Sequence, residues 1–331
     1  MVKTFGKLAN GQEVRLYTIS CGRIVSNITN YGAALVSLAV DGLDVCLGLD
    51  DASAYETQGG YLGAVVGRNA NRVGGAKFTM NGQEIILPAN EGTTCLHSGP
   101  DCWAYRLWDV TDHTENSLTL SLNSPDGDQG FPGNARVSVT YTIENDGLTI
   151  HYRAVSDRDT VFNLTNHAYF NLYGQDKPEK AMDQELMIPA EFFCPDDAKN
   201  IPTGEVRSVA GTPFDFRSFK AIGRDIGMDY EPLHLQGGYD HNFVNVQPVC
   251  AVLRNPDSGL TMTVTTDLPG VQFYAGNFLD NTGKGTVYGK RSGVALETQY
   301  FPDAVNHPEW VQPFVKAGVD WESVTTYRFE G

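Results

Sequence analysis

Three side chains in this sequence stand in company that suits proton transfer. Glu297 follows an apolar run, Gly293-Val294-Ala295-Leu296, which reads as a strand that would leave the carboxyl partly buried. Burial raises a carboxyl pKa, while hydrogen bonds or cationic neighbours lower it, so such a glutamate can be tuned toward general-base duty. A structural ion pair would explain a lone glutamate equally well. His167 lies in Phe162-Asn163-Leu164-Thr165-Asn166-His167-Ala168-Tyr169-Phe170-Asn171-Leu172, where amides alternate with aromatic rings. Amides hydrogen-bond hydroxyls in both directions and rings cover the apolar face of a pyranose, which suits a sugar; an Asn-rich strand with a β-bulge is the competing explanation. His97 closes the turn-like stretch Gly92 to Pro100, whose glycines permit a ligand to approach the backbone. A satisfied loop histidine is the plainer reading of that residue taken alone.

The elements that must position these groups read as strands. Val137, Val139, Tyr141 and Ile143 alternate with polar residues, and after Asn145-Asp146-Gly147 the alternation resumes with Leu148, Ile150, Tyr152 and Ala154, which predicts a hairpin with one wet face. The same pattern places strands at Leu118–Leu122, at Lys77–Met80 and Glu84–Leu87 around Asn81-Gly82, and at Met262–Val264 after Asn255 to Gly259. Helical periodicity is confined to Asp51–Gln58, with Asp51 as a cap, and to a turn within Phe216–Ile226. With 35 glycines and 16 prolines punctuating short segments, and no linker, repeat or composition shift, residues 1–331 read as a single all-β domain. A sheet system this long must hide its edges, so we expect a large antiparallel β-sandwich, two sheets face to face, with long loops closing over a concave face that holds the site.

Composition narrows the function. The chain of 331 residues is 41% hydrophobic and 19% charged, with 16 Phe, 15 Tyr and 4 Trp, which describes a folded globular protein. Forty acidic against 24 basic residues give a formal charge of −16, which opposes nucleic acid and anionic membranes as partners. Neither a secretory signal nor an 18-residue apolar span is evident, so a cytoplasmic location is expected. Six scattered cysteines without C-x-x-C spacing read as reduced thiols, Cys95 among them as a small semi-buried filler. A phosphate loop, a G-x-S-x-G elbow and an H-E-x-x-H helix are all missing. Asp126 to Gly130 lacks the ligands of a calcium loop and reads as a turn, and the glycosylation triplet Asn163-Leu164-Thr165 is idle without secretion.

Taken together, five segments resemble the aldose 1-epimerase (galactose mutarotase) family: Asn30-Tyr31-Gly32-Ala33, Gly67-Arg68-Asn69-Ala70-Asn71-Arg72, Leu96-His97-Ser98-Gly99, Asn163 to Leu172, and Leu296 to Asn306. Gly238 to Phe243 and Gly270 to Tyr274 fit as well, and all run in the family's order from about residue 30 to 310. The resemblance implies that family's large β-sandwich, a concave-face active site, a free aldohexose such as galactose or glucose as substrate, and no cofactor or metal. By matching motif it implies Glu297 as general base, His167 as general acid, His97 beside the reacting carbon, and Asn71, Arg72, Asp240 and Gln272 as sugar-binding residues. Arg68 matches the motif too but is expected to be structural. One departure stands out: Pro100-Asp101-Cys102-Trp103-Ala104-Tyr105 replaces a glycine-rich loop and places the rim and sugar preference in question.

Anomer exchange removes the proton of the C1 hydroxyl while giving one to O5, so it needs two groups of opposite protonation. From reference pKa values of about 4.3 and 6.5, the rate should fall below the Glu297 pKa and above the His167 pKa, the latter raised by Asp240 and Glu297. Three rivals remain: a phosphorylated-hexose epimerase needing extra cations at the rim, a sugar-binding module without turnover, and a glycoside hydrolase pairing Glu297 with Asp240 or Asp303. A monomer and a homodimer fit equally.

Overall fold

The computed structural model describes residues 1–331. Strands dominate, helices are few and short, and the strand ladders are antiparallel. A nine-stranded sheet runs, in spatial order, Asp109–His113, Ser117–Ser124, Ala135–Glu144, Gly147–Ser156, Trp321–Glu330, Thr261–Thr266, Val249–Arg254, Glu185–Met187 and Lys220–Ala221. Its central hairpin turns at Asn145 and Asp146, whose φ of 49° and 57° give the two left-handed residues that match the strand twist.

Facing it is a six-stranded sheet in the order Tyr169–Phe170, Val294–Gln299, Gly270–Tyr274, Asp240–Val244, Phe192–Cys194 and Arg207–Ser208. Strand alternation gives this sheet two unlike faces. Val271, Phe273, Phe243, Val294 and Leu296 point into one core with Ile150, Tyr152, Met262, Val264 and Tyr327 of the larger sheet. Full burial of such side chains contributes about 1.5–3 kcal/mol each, so this interface fixes the smaller sheet firmly. The opposite face carries Asp240, Asn242, Gln272, Tyr274 and Glu297, with Gln272 directly opposed to both Glu297 and Asn242.

A third sheet of five strands, from Val2–Lys7 to Leu43–Asp44, adds to the two-sheet expectation. The helix Ala52–Thr57 forms where predicted, with the Asp51 side chain accepting from the Ala54 N–H. Within Phe216–Ile226 the chain makes a single short helical turn, Ile222–Arg224. The helix Glu231–Gln236 was not anticipated: six residues are too few to show a 3.6-residue stripe, and only Pro232 near its start and left-handed Gly237 at its end mark it. No helix is long and apolar enough to cross a membrane.

Candidate active site

A cavity of about 300 Å3 opens on the polar face of the six-stranded sheet. Glu297, Asp240 and Tyr274 rise from that sheet, while Asn71, Arg72 and His97 come from a ribbon in which Arg72–Val73 pairs with Cys95–Leu96. Between them stands His167, in the segment linking the short strands Thr165–Asn166 and Tyr169–Phe170. The chain around His167 is held at both backbone atoms, its N–H donating to Ala64 O at 2.9 Å and its C=O accepting from Gly63 N–H at 2.9 Å.

His167 Nε2 lies 3.5 Å from Glu297 Oε1, and both residues are almost fully buried, at 5% and 2% exposure. Neither His167 Nδ1 nor Glu297 Oε2 has a protein partner. Burial pushes His167 down to about 4. Burial, followed by the nearby Asp240 carboxylate, raises Glu297 well above the usual carboxylate range, against a smaller pull from Arg72. The expectation that neighbouring carboxylates raise His167 is therefore corrected: desolvation of the imidazolium outweighs them.

His97 is buried like His167 but differs in having one ring nitrogen filled by the backbone. The backbone N–H of Asn71 donates to His97 Nδ1 at 3.1 Å, and because a backbone amide can only donate, that nitrogen carries no proton. Burial first, then His167 and Arg72, depress its pKa well below the ordinary value, so the ring is neutral with its proton on Nε2. Its backbone sits at φ 50°, a conformation costing a histidine roughly 1–3 kcal/mol. The His97 N–H donation to Asn71 O at 2.9 Å holds it there.

Arg72 makes a two-pronged contact with Glu91, Nε donating to Oε2 at 2.6 Å and Nη2 to Oε1 at 3.0 Å, and its Nη1 approaches Asp240 Oδ2 at 4.0 Å. Burial alone would lower Arg72, yet Glu91 and Asp240 keep it above its ordinary pKa and charged. Asp240 accepts from Gln272 Nε2 at 2.8 Å, and burial raises its carboxyl. Gln272 is thus brought to Asp240 but lies behind it, outside the cavity lining, with its own Oε1 unpartnered. Arg68, by contrast, is turned away, donating to Ser124, Pro132 and Gly133 around the loop that includes Asp126 to Gly130 and to Thr160 of the strand Thr160–Val161. Gly67 lets Trp103 approach so closely that an added Cβ would sit 2.4 Å from its ring.

Aromatic walls complete the cavity. Tyr61 meets the His97 ring edge-on at 4.6 Å, Tyr169 lies 5.0 Å from His167, and Tyr274 and Phe278 continue the lining. Sequence reasoning passed over Tyr61, Glu91 and Phe278; Glu91 had a signal in lying within the loop before His97, whereas Tyr61 and Phe278 had none. The divergent Pro100 to Tyr105 loop reaches the wall through Tyr105, whose ring is 5.6 Å from Tyr61. One nitrogen or oxygen from each of His97, His167 and Glu297 falls within 4.8 Å of the others, so these are the residues able to hold a metal.

A profile described as "Aldose 1-epimerase" matches residues 15–328. The chain belongs to the aldose 1-epimerase family. Galactose mutarotase of Bos taurus is 39% identical over 98% of this chain and 97% of its own length. Aldose 1-epimerase of Escherichia coli K12 is 37% identical over 97% and 96%. Among solved structures, an aldose epimerase homologue from C. elegans superposes with a TM-score of 0.89 at 30% identity, covering 95% of this chain and 98% of that one. Galactose 1-epimerase from Lactobacillus acidophilus also gives 0.89, at 28% identity over 100% and 98%. The protein is therefore an epimerase, and the large antiparallel β-sandwich expected from its sequence is the fold of its relatives.

Proposed function

We propose that this epimerase interconverts the α and β anomers of free aldohexoses such as galactose and glucose, with Glu297 and His167 exchanging protons with O1 and O5. The observation that carries the reading is the buried His167–Glu297 contact, 3.5 Å across, facing a charged clamp in a cavity of monosaccharide size. Small-molecule sites run from roughly 300 Å3 upward, and this cavity stands at that lower bound.

In this mechanism the pair holds a single proton. Without sugar, burial favours the uncharged arrangement, a protonated Glu297 beside a neutral His167. Sugar hydroxyls donating to the carboxylate favour its ionised form, and the proton passes to His167. Glu297 then takes the O1 proton while His167 gives one to O5, the C1–O5 bond breaks, and a free aldehyde forms. Rotation about C1–C2 presents the other face. Ring closure returns one proton from Glu297 to O1, and His167 retrieves one from O5. Each acid or base step contributes on the order of 10²–10⁴ in rate.

Neutral His97 donates from Nε2 toward the reacting end of the sugar and takes no part in the proton count. Arg72, Asn71 and Asp240 hold the remaining hydroxyls, with Gln272 fixing Asp240, so the open chain cannot tumble while C1 turns. The reaction written this way uses no metal or cofactor and suits a cytoplasmic pool of free sugar.

The cavity chemistry weighs against a phosphorylated substrate and against Asp303 as a glycosidase partner. Arg72, already engaged by Glu91, is the sole cation in the lining, against Glu91, Asp240 and Glu297, which opposes a phosphorylated hexose. Asp303 lies outside the lining with its Oδ1 occupied by Gly74 and Asn306, which removes it as a glycosidase partner. Following the optical rotation of freshly dissolved α-D-galactose and α-D-glucose tests the reading: the protein should hasten the approach to an unchanged final rotation. No acceleration of either sugar would overturn it.

A further inference from the structure

We propose that Asp303 is a positioning residue that sets the sugar clamp against the proton-transfer pair. It does not line the cavity, yet it joins the two halves of the site. Its backbone N–H donates to the carbonyl of Arg72 at 2.9 Å, and its Oδ1 accepts from the backbone N–H of Gly74 at 2.9 Å. The two bonds bracket Val73 and fix the backbone on either side of it. Asn306 Nδ2 donates to the same Oδ1 at 2.7 Å and steadies the carboxylate from behind. Oδ2 faces His307 Nε2 at 3.8 Å, and a Cβ on Gly74 would sit 3.1 Å from it, so glycine at 74 permits this approach.

What holds Arg72 also holds His97. Arg72 pairs with Leu96 in the ribbon, and both backbone atoms of Asn71 bond to His97, its C=O accepting from the His97 N–H and its N–H donating to Nδ1. On the other side, Asp303 follows six residues after Glu297 on the same chain. Tyr300, between them, donates its N–H to Asn163 Oδ1 at 2.9 Å. Asn163 in turn bonds the chain before Arg72, its N–H donating to Arg68 O at 2.8 Å and its C=O accepting from Ala70 N–H at 2.7 Å. The left-handed backbone of Asp303, φ 59°, turns its carboxylate back toward the ribbon. Asp303 therefore ties the strand end that carries Glu297 to the ribbon that carries Asn71, Arg72 and His97.

This proposal rests on the mutarotase reading, and its test separates the two. The full chain with Asp303→Ala, Asp303→Asn or Asn306→Ala is assayed on α-D-galactose for kcat and KM. Binding of 1,5-anhydrogalactitol, a galactose analogue that lacks the anomeric hydroxyl and cannot open, is measured by calorimetry. With the carboxylate arm to Gly74 lost in Asp303→Ala and only the backbone bond to Arg72 left, KM and the analogue Kd rise by about tenfold while kcat falls less, because the pair stays on its sheet. Asp303→Asn keeps an Oδ1 that accepts both bonds and stays near wild type, and Asn306→Ala shifts KM in the same direction by a smaller factor. Should Asp303→Ala fail to fold, the other two variants decide. Wild-type KM and Kd in Asn306→Ala and Asp303→Ala would overturn the proposal, as would an Asp303→Asn as impaired in KM as the alanine. A wild type that binds the analogue but leaves galactose unaccelerated would sink the mutarotase reading while the binding series still judged Asp303; one that accelerates galactose without binding the analogue leaves Asp303 to be judged on KM; and one that does neither would overturn both.

Discussion

The two walls of the cavity are built on opposite principles. On the ribbon wall each side chain is anchored by the protein itself: Arg72 is gripped by Glu91, Asn71 Oδ1 accepts from the Arg72 N–H at 2.8 Å, and His97 Nδ1 is filled by an amide. On the sheet wall and in the segment beside it, Glu297 Oε2 and His167 Nδ1 are buried without partners. An unsatisfied buried polar group costs about 1–3 kcal/mol, so the second wall is held ready for a ligand at the expense of stability. Rigidity suits a clamp that must grip the same hydroxyls throughout, whereas groups that gain and lose protons must be free to change partners.

That contrast can be broken by substitution. The largest effect falls on the sheet wall: Glu297→Gln should lower kcat by about 10²–10⁴-fold, measured by polarimetry, with calorimetric sugar binding largely kept. Unchanged turnover would remove Glu297 as the base. Arg68→Met separates architecture from chemistry, because it strands the Ser124, Pro132 and Gly133 acceptors. It should lower stability by roughly 3 kcal/mol in denaturant titration and leave KM of the folded protein unchanged. On the ribbon wall, Arg72→Lys loses the two-pronged contact with Glu91 and should raise KM by roughly 10–100-fold with a smaller change in kcat. A kcat loss as deep as that of Glu297→Gln would erase the distinction between the walls.

Much of this was legible in the sequence, for reasons that differ by element. The Val137–Ile143 and Leu148–Ala154 hairpin showed itself through strict alternation, and the Asp51 cap through its chemistry. Glu297, His167 and His97 were found as separate hints and joined only through the family's segments, since residues 200 positions apart share no periodicity. Arg68 and Arg72 were told apart by motif alignment, and the structure places them in different surroundings, the first donating to Ser124 and Gly133 and the second lining the cavity. The direction of the His167 shift was misjudged because neighbouring charges are visible in a sequence, whereas complete desolvation is a property of the folded core; the upward pull of burial on Glu297 was anticipated. Tyr61 and Phe278 escaped for a related reason: single aromatics in loops acquire meaning only when the fold turns them toward the same cavity.

The central claim is that the buried pair works with one shared proton, and the pH dependence of kcat/KM for α-D-galactose tests it most directly. Protonating His167 adds a second proton to the pair and removing the proton from Glu297 leaves none, so activity should fall on both sides. With His167 pushed down to about 4, the acid limb should appear near that pH, and full activity should persist through pH 6.5. The alkaline limb belongs to Glu297, displaced well above the carboxylate range. An acid limb near 6.5, or a rate that climbs steadily into alkali, would contradict the account.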